Sequence, residues 1–146
     1  MDFKKVEKTF KVVGIKGKGS FENYSIEVPE LARQFLSRIN EIDSSNGNEI
    51  ALFEPKIDED HLEGNYYVGV IVDKSFSAVP EGMEYIELSQ SYVSARGPIT
   101  EIGTLYHNLL QWSIKQQYKR NIESYIIEIY HPMDNGEEVE IYLPIR

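Results

Sequence analysis

Glu128 is the residue whose type and setting most demand a chemical explanation. It sits inside Tyr125-Ile126-Ile127-Glu128-Ile129-Tyr130, a run rich in β-branched and aromatic residues that His131-Pro132 is expected to end. Side chains alternate along a strand. Ile126, Glu128 and Tyr130 therefore share one face, and Tyr125, Ile127 and Ile129 the other. A carboxylate between an isoleucine and a tyrosine is costly to bury unless something compensates its charge. A cationic ligand, a hydrogen-bonding tyrosine or a catalytic role would each do so, and a solvated strand face would remove the need.

Other chemistries find little support. The chain has no cysteine, which excludes disulfides, thiolate metal sites and cysteine nucleophiles. His61, His107 and His131 lack metal-ligand spacing. Ser89, Ser91 and Ser94 stand in no nucleophile-elbow motif. The acidic stretch Asp58-Glu59-Asp60-His61 offers too few ordered oxygens for Ca²⁺ and reads as a solvated loop. Gly14, Gly17 and Gly19 fit neither dinucleotide nor Walker spacing and read as turn or bulge glycines in a loop. No cofactor or metal is expected.

Composition bounds the rest. The 146 residues suffice for one domain with a real core, and 41% hydrophobic with 27% charged residues is the balance of a soluble globular protein. A net charge of −9 argues against binding nucleic acid, which needs Lys and Arg at the phosphates. Through the summed field it weakly favours cationic partners. No apolar run approaches the ~20 residues of a membrane helix, and Met1-Asp2-Phe3-Lys4-Lys5 does not read as a signal peptide. A cytoplasmic location is the expectation. Ten tyrosines, six phenylalanines and one tryptophan point to a lined pocket or a β-rich core.

The elements that must position Glu128 follow from periodicity. Phe10 to Ile15 reads as a strand. Pro29 suits the first turn of a helix from Glu30 to Ile42, with Leu31, Phe35, Leu36, Ile39 and Ile42 on one stripe and Ser44-Ser45-Asn46-Gly47-Asn48 as its stop. Ile50 to Phe53 and Tyr66 to Val72 are strands. In the second half, Tyr85 to Leu88 and Ser91 to Arg96 are extended. Ile99 to about Lys115 is a helix carrying Ile102, Leu105, Tyr106, Leu109 and Trp112 on one stripe. Tyr125 to Tyr130 is a strand, Asp134-Asn135-Gly136 a hairpin turn, and Val139 to Leu143 the closing strand.

The halves, about 1–75 and 76–146, repeat this pattern. TFKVVGIKG matches SQSYVSARG, IALFEP matches IIEIYHP, and YYVGVIV matches VEIYLPI. The expected class is α+β: two β-α-β-β repeats related by a pseudo-twofold axis, with antiparallel sheets forming a concave pocket. The helices are expected on the opposite side, packed on Tyr125, Ile127 and Ile129. Ile126, Glu128 and Tyr130 then face the pocket. Ala51 and Phe53 match Glu128 and Tyr130 in the first repeat, so the pocket holds one carboxylate with a small residue opposite it. Tyr67 and Gly69 are expected on the same side, where glycine lets a ligand approach the backbone.

The chain resembles the GyrI-like small-molecule-binding domains, also called effector-binding domains of bacterial transcription activators. The stretches that carry the likeness are FKVVGI, VPELARQFLSRI, GNYYVGVIVD, VPEGMEYIELSQSYVSARGPITEIGTLYHNLLQW, YIIEIYHP and EVEIYLPI, in that order over nearly the whole chain. Members often carry a tryptophan near Leu31 or Ala32, which this chain lacks. The resemblance implies one domain over 1–146 with a central cavity for organic, often cationic or aromatic, molecules. It carries the acidic pocket role to Glu128 and aromatic positions to Tyr67, Trp112 and Tyr130. Phe53, Gly69 and Ile126 complete the expected ligand-binding set.

With the first strand already under way by Phe10, no helix-turn-helix is expected before it, and the domain is expected to stand alone. Three functions follow. A binding module would sequester an aromatic cation, with Glu128 neutralising its charge. A hydrolase of cyclopropane-bearing electrophiles would use Glu128 to activate water and Tyr67 as a proton donor. A gyrase-interacting protein would present the acidic stretches Asp58 to Asp60 and Glu137-Glu138-Glu140 as a DNA-like surface.

Overall fold

In the computed structural model, which describes residues 2–42 and 47–146, all β-structure lies in one closed barrel. The strands are β1 (Lys4–Ser20), β2 (Glu49–Phe53), β3 (Glu63–Ile71), β4 (Glu84–Pro98), β5 (Ile126–Met133) and β6 (Gly136–Ile145). The helices are α1 (Tyr24–Leu36) and α2 (Ile102–Lys115). Every strand pairing is antiparallel, in the order β1-β3-β2-β5-β6-β4 and back to β1. The α+β class and antiparallel pairing expected from the sequence hold. The two halves follow one plan, β1-β3-β2 and β4-β6-β5, joined by β1 to β4 and β2 to β5.

Closure gives the sheet an inside and an outside. Phe10, Val12, Ile50, Leu52, Tyr67, Tyr92, Ile127, Ile129 and Tyr142 fill the inside. Phe10, Tyr92 and Tyr142 meet edge-on there, at centroid distances of 5.0–5.7 Å. On the outside, Val28, Leu31, Ala32 and Phe35 of α1 pack on Val13, Val68 and Val70. Leu105 and Leu109 of α2 pack on Val93, Ala95, Val139, Ile141 and Leu143. Thus α1 covers β1 and β3, while α2 covers β4 and β6. The outer face of β2 and β5 lies in the gap between the helices.

This arrangement corrects the expected layering. Ile127 and Ile129 face the barrel interior, with Tyr125 packed against them, and do not carry the helices. The reading of an open sheet with a helical and a concave face fails because closing the ring turns the second face into a filled core. The concavity is left on the helical side.

Several elements also run longer or start elsewhere than expected. Strand β1 continues through Gly14, Gly17 and Gly19 and pairs with β3 as far as Ser20. A Cβ at Gly17 would stand 2.5 Å from the Tyr66 ring, so glycine there lets the strand pass beneath a buried tyrosine. Helix α1 begins at Tyr24 after a 3₁₀ turn (Phe21–Asn23) in which the Ser20 hydroxyl accepts from the Glu22 N–H at 3.3 Å. Pro29 is therefore interior to the helix. It removes the bond that the carbonyl of exposed Ser25 would accept. The expected stripe beyond Leu36 becomes a second 3₁₀ turn (Ile39–Glu41) followed by buried Ile42. Residues 44–46 of the expected helix stop lie outside the described residues. Strand β4 is one continuous strand, and α2 starts after a 3₁₀ turn (Ile99–Glu101). Strand β5 passes through His131 and Pro132, which pair with Glu138 and Glu137 beside the turn of the hairpin. Among the described residues, no helix is long and apolar enough to cross a membrane.

Candidate functional site

The gap between the helices is a two-lobed cleft. Its floor is the outer face of β2 and β5, where Ala51 lies directly beside Glu128 in the register. One lobe, of about 370 Å³, is walled by Val28, Pro29 and Ala32 of α1, with Ile99 and Ile102 opposite, and it also receives Glu49 and Glu137. The other, of about 480 Å³, is lined by Tyr24, Phe53, Tyr106 and Ile126. Val28, Pro29, Ile102, Glu128 and Tyr130 belong to both.

Glu128 is 9% exposed and accepts two short hydrogen bonds. The Tyr106 hydroxyl donates to Oε2 at 2.5 Å and the Tyr130 hydroxyl to Oε1 at 2.6 Å. Tyr130 reaches it from two residues along the same strand face; Tyr106 reaches it from the facing side of α2. Bonds to an ionised acceptor are short and contribute about 1.5–3 kcal/mol each. Of the three compensations open to a buried carboxylate at this position, the protein itself supplies the tyrosine hydroxyls. Each oxygen keeps a lone pair for a further donor or cation. Burial first, and then the Glu128 charge, push both phenols well above their ordinary value of 10.0, so they stay protonated donors. At the cleft's edge, Tyr24 is pushed up to about 12, chiefly by burial and then by Glu54.

The structure brings together four residues of the expected set: Glu128, Tyr130, Ile126 and Phe53. It places the others elsewhere. Tyr67 points into the barrel, edge-on to Tyr125 at 5.7 Å, with its hydroxyl donating to Glu84 at 3.3 Å. Its register partner is Leu52, one residue out of phase with Ala51, so alternation sends it inward. Gly69 shares that inward phase and lies against Gly14 of β1, where a Cβ would strike the Val13 carbonyl. It serves close strand packing and lines neither lobe of the cleft. Trp112 lies two turns beyond Tyr106 on α2, against Phe3 and Tyr118 at 5.8 and 6.0 Å, away from the cleft. Sequence reading missed Tyr106 as a site residue, along with Tyr24, Pro29, Glu49 and Glu137. Tyr106 had a signal: it was the one hydroxyl on the α2 stripe, opposite a carboxylate that needed a donor.

The likenesses to known proteins agree with this architecture. A family model described as a GyrI-like small molecule binding domain matches residues 1–146. The solved structure of SAV2435 bound to tetraphenylphosphonium superposes with a TM-score of 0.73 at 16% identity, covering 100% of this chain and 94% of that one. An integron cassette protein from Vibrio cholerae gives 0.67 at 14% identity, covering 99% and 95%. A hydrolase encoded by lin2189 from Listeria innocua gives 0.59 at 12% identity, covering 99% and 91%. At these identities the likenesses establish the fold. No curated protein matches the chain in sequence.

Proposed function

Because the chain belongs to the GyrI-like small molecule binding domain family, we propose that the cleft between α1 and α2 takes up and sequesters a small aromatic organic cation. The observation that carries this reading is a carboxylate, Glu128, buried on the floor of a ring-lined cleft with no basic side chain among the described residues of its lining. An aromatic cation would lie against Tyr130, Tyr106 and Phe53, each ring face attracting positive charge by about 0.5–2 kcal/mol. Glu128 would neutralise that charge out of water, where opposite charges attract more strongly than in bulk solvent. The tetraphenylphosphonium bound by SAV2435 is a ligand of this chemistry. Titration with tetraphenylphosphonium or a rhodamine dye tests the reading. Glu128→Gln, which keeps shape and removes charge, is expected to weaken binding about 30-fold, on the order of 2 kcal/mol. Unchanged affinity would reject it.

A second reading, hydrolysis of an electrophilic ligand, draws on the pairing of a carboxylate with two phenol donors in one cleft. It also draws on the similar Listeria innocua chain described as a hydrolase. Glu128 would orient water while Tyr106 or Tyr130 donates to the developing oxyanion. It requires product beyond one equivalent of protein, and none with Glu128→Gln.

A further inference from the structure

Three carboxylates line one lobe of the cleft, and among the described residues no basic side chain lines it with them. Glu128 has its phenols, whereas Glu49, partly buried, and Glu137, exposed at the rim, have no protein partner. Among the described residues, neither makes a side-chain hydrogen bond or an ion pair, and no Lys or Arg lines either lobe. The sheet puts both on the cleft side. Glu49 is two residues along β2 from Ala51, and Glu137 is two along β6 from Val139, the partner of Tyr130. Burial and then the Glu137 charge push the Glu49 carboxyl upward, as expected of acids sharing a space with no counter-charge. No group of three His, Asp or Glu among the described residues is placed to hold a metal ion, which points to an organic cation. The other lobe offers rings where this one offers charge.

We propose that the cleft's ligand is an elongated dication. Its aromatic cation sits in the ring-lined lobe against Glu128, and a second ammonium-type charge sits in the other lobe near Glu49 and Glu137. This rests on the reading of the cleft as a cation site, and adds the second charge and the ligand's direction. A compact monocation held at Glu128 leaves the repulsion between Glu49 and Glu137 in place, while a second cationic group relieves it.

Ethidium and propidium test the inference. They share a phenanthridinium ring, and propidium carries a further quaternary ammonium on a short chain. Fluorescence titrations at fixed ionic strength are expected to show propidium binding about tenfold more tightly. The double substitution Glu49→Gln, Glu137→Gln should erase that preference while holding ethidium affinity within about twofold, and each single change should reduce it in part. Glu59→Gln, on an exposed loop outside the cleft, controls for net charge and should leave the preference intact. Equal affinities, a preference that survives the double substitution, or one lost with Glu59→Gln would each overturn the inference. The cation-site reading would still stand if ethidium binding needs Glu128. If neither dye binds in a Glu128-dependent way, both fall.

Discussion

Tyr106 and Tyr67 show how the element that carries a tyrosine decides which side of the sheet it serves. Both are tyrosines whose hydroxyls donate to a glutamate, yet one faces the cleft and the other the barrel interior. Tyr106→Phe removes one of the two donors to buried Glu128 and is expected to lower stability to urea by about 1–3 kcal/mol. Tyr67→Phe is expected to leave cation affinity within about twofold of the parent, since its ring is on the wrong face to touch a ligand. The raised phenols also set an alkaline limit. Tyr106 and Tyr130 bind their protons more tightly folded than unfolded. Their contribution is therefore complete below about pH 10, the unfolded value, and is lost as pH rises above it. Stability measured from pH 9 to 11 should fall, and Tyr106→Phe with Tyr130→Phe should reduce that slope without abolishing it, because Tyr24, Tyr67, Tyr92 and Tyr142 are raised as well. At this scale, the sequence disclosed Glu128 because a charge interrupts an apolar strand pattern. It hid Tyr106, whose spacing on α2 is that of an ordinary core stripe. It misplaced Tyr67 because the phase of β3 relative to β2 is set by pairing, and neither strand carries it alone.

The glycines of β1 and α2 separate two uses of one residue. Gly17→Ala would push a Cβ into the Tyr66 ring, whose residue is 4% exposed, and is expected to cost about 1–3 kcal/mol in thermal or urea unfolding. Gly103 lies on the exposed side of α2 with nothing within 4 Å of a built Cβ, so Gly103→Ala should stabilise by about 1 kcal/mol. A matching loss at Gly103 would show that the α2 surface is covered in solution. The same contrast explains what was legible at the level of elements. Strands and helices with clear period-2 or period-3.6 patterns were placed from sequence. Strand β1 was cut short, because glycines that relieve a close approach look locally like glycines that make a turn. Helix α1 was started too late, since Pro29 favours a first turn, whereas here it lies inside a helix whose Val28, Leu31, Ala32 and Phe35 pack on the sheet.

Across the whole molecule, the repeat expected from the sequence carried no information on how the halves meet. Closure depends on pairing β1 with β4 and β2 with β5 across the halves, and no local pattern encodes such distant partners. The two seams differ. Strands β1 and β4 pair from Lys4 through Gly14, whereas β2 and β5 pair only from Ile50 to Phe53, directly under the cleft. Native-state hydrogen exchange should therefore be faster for amides of the β2–β5 seam than for the β1–β4 seam. A bound cation should slow the former selectively; equal protection of both seams by ligand would place binding elsewhere.

The ring has a further consequence. Open sheets end in strands whose unpaired N–H and C=O groups can recruit other chains and seed fibrils. Here each strand has a neighbour on both sides, and free border is confined to stretches such as residues 4–11 of β1 and 84–90 of β4, each paired on one side. A protein that acts by stoichiometric capture has a capacity equal to its own concentration. For the sequestering role proposed above, a closed ring with little free border would let that concentration climb with less risk of strand-to-strand aggregation.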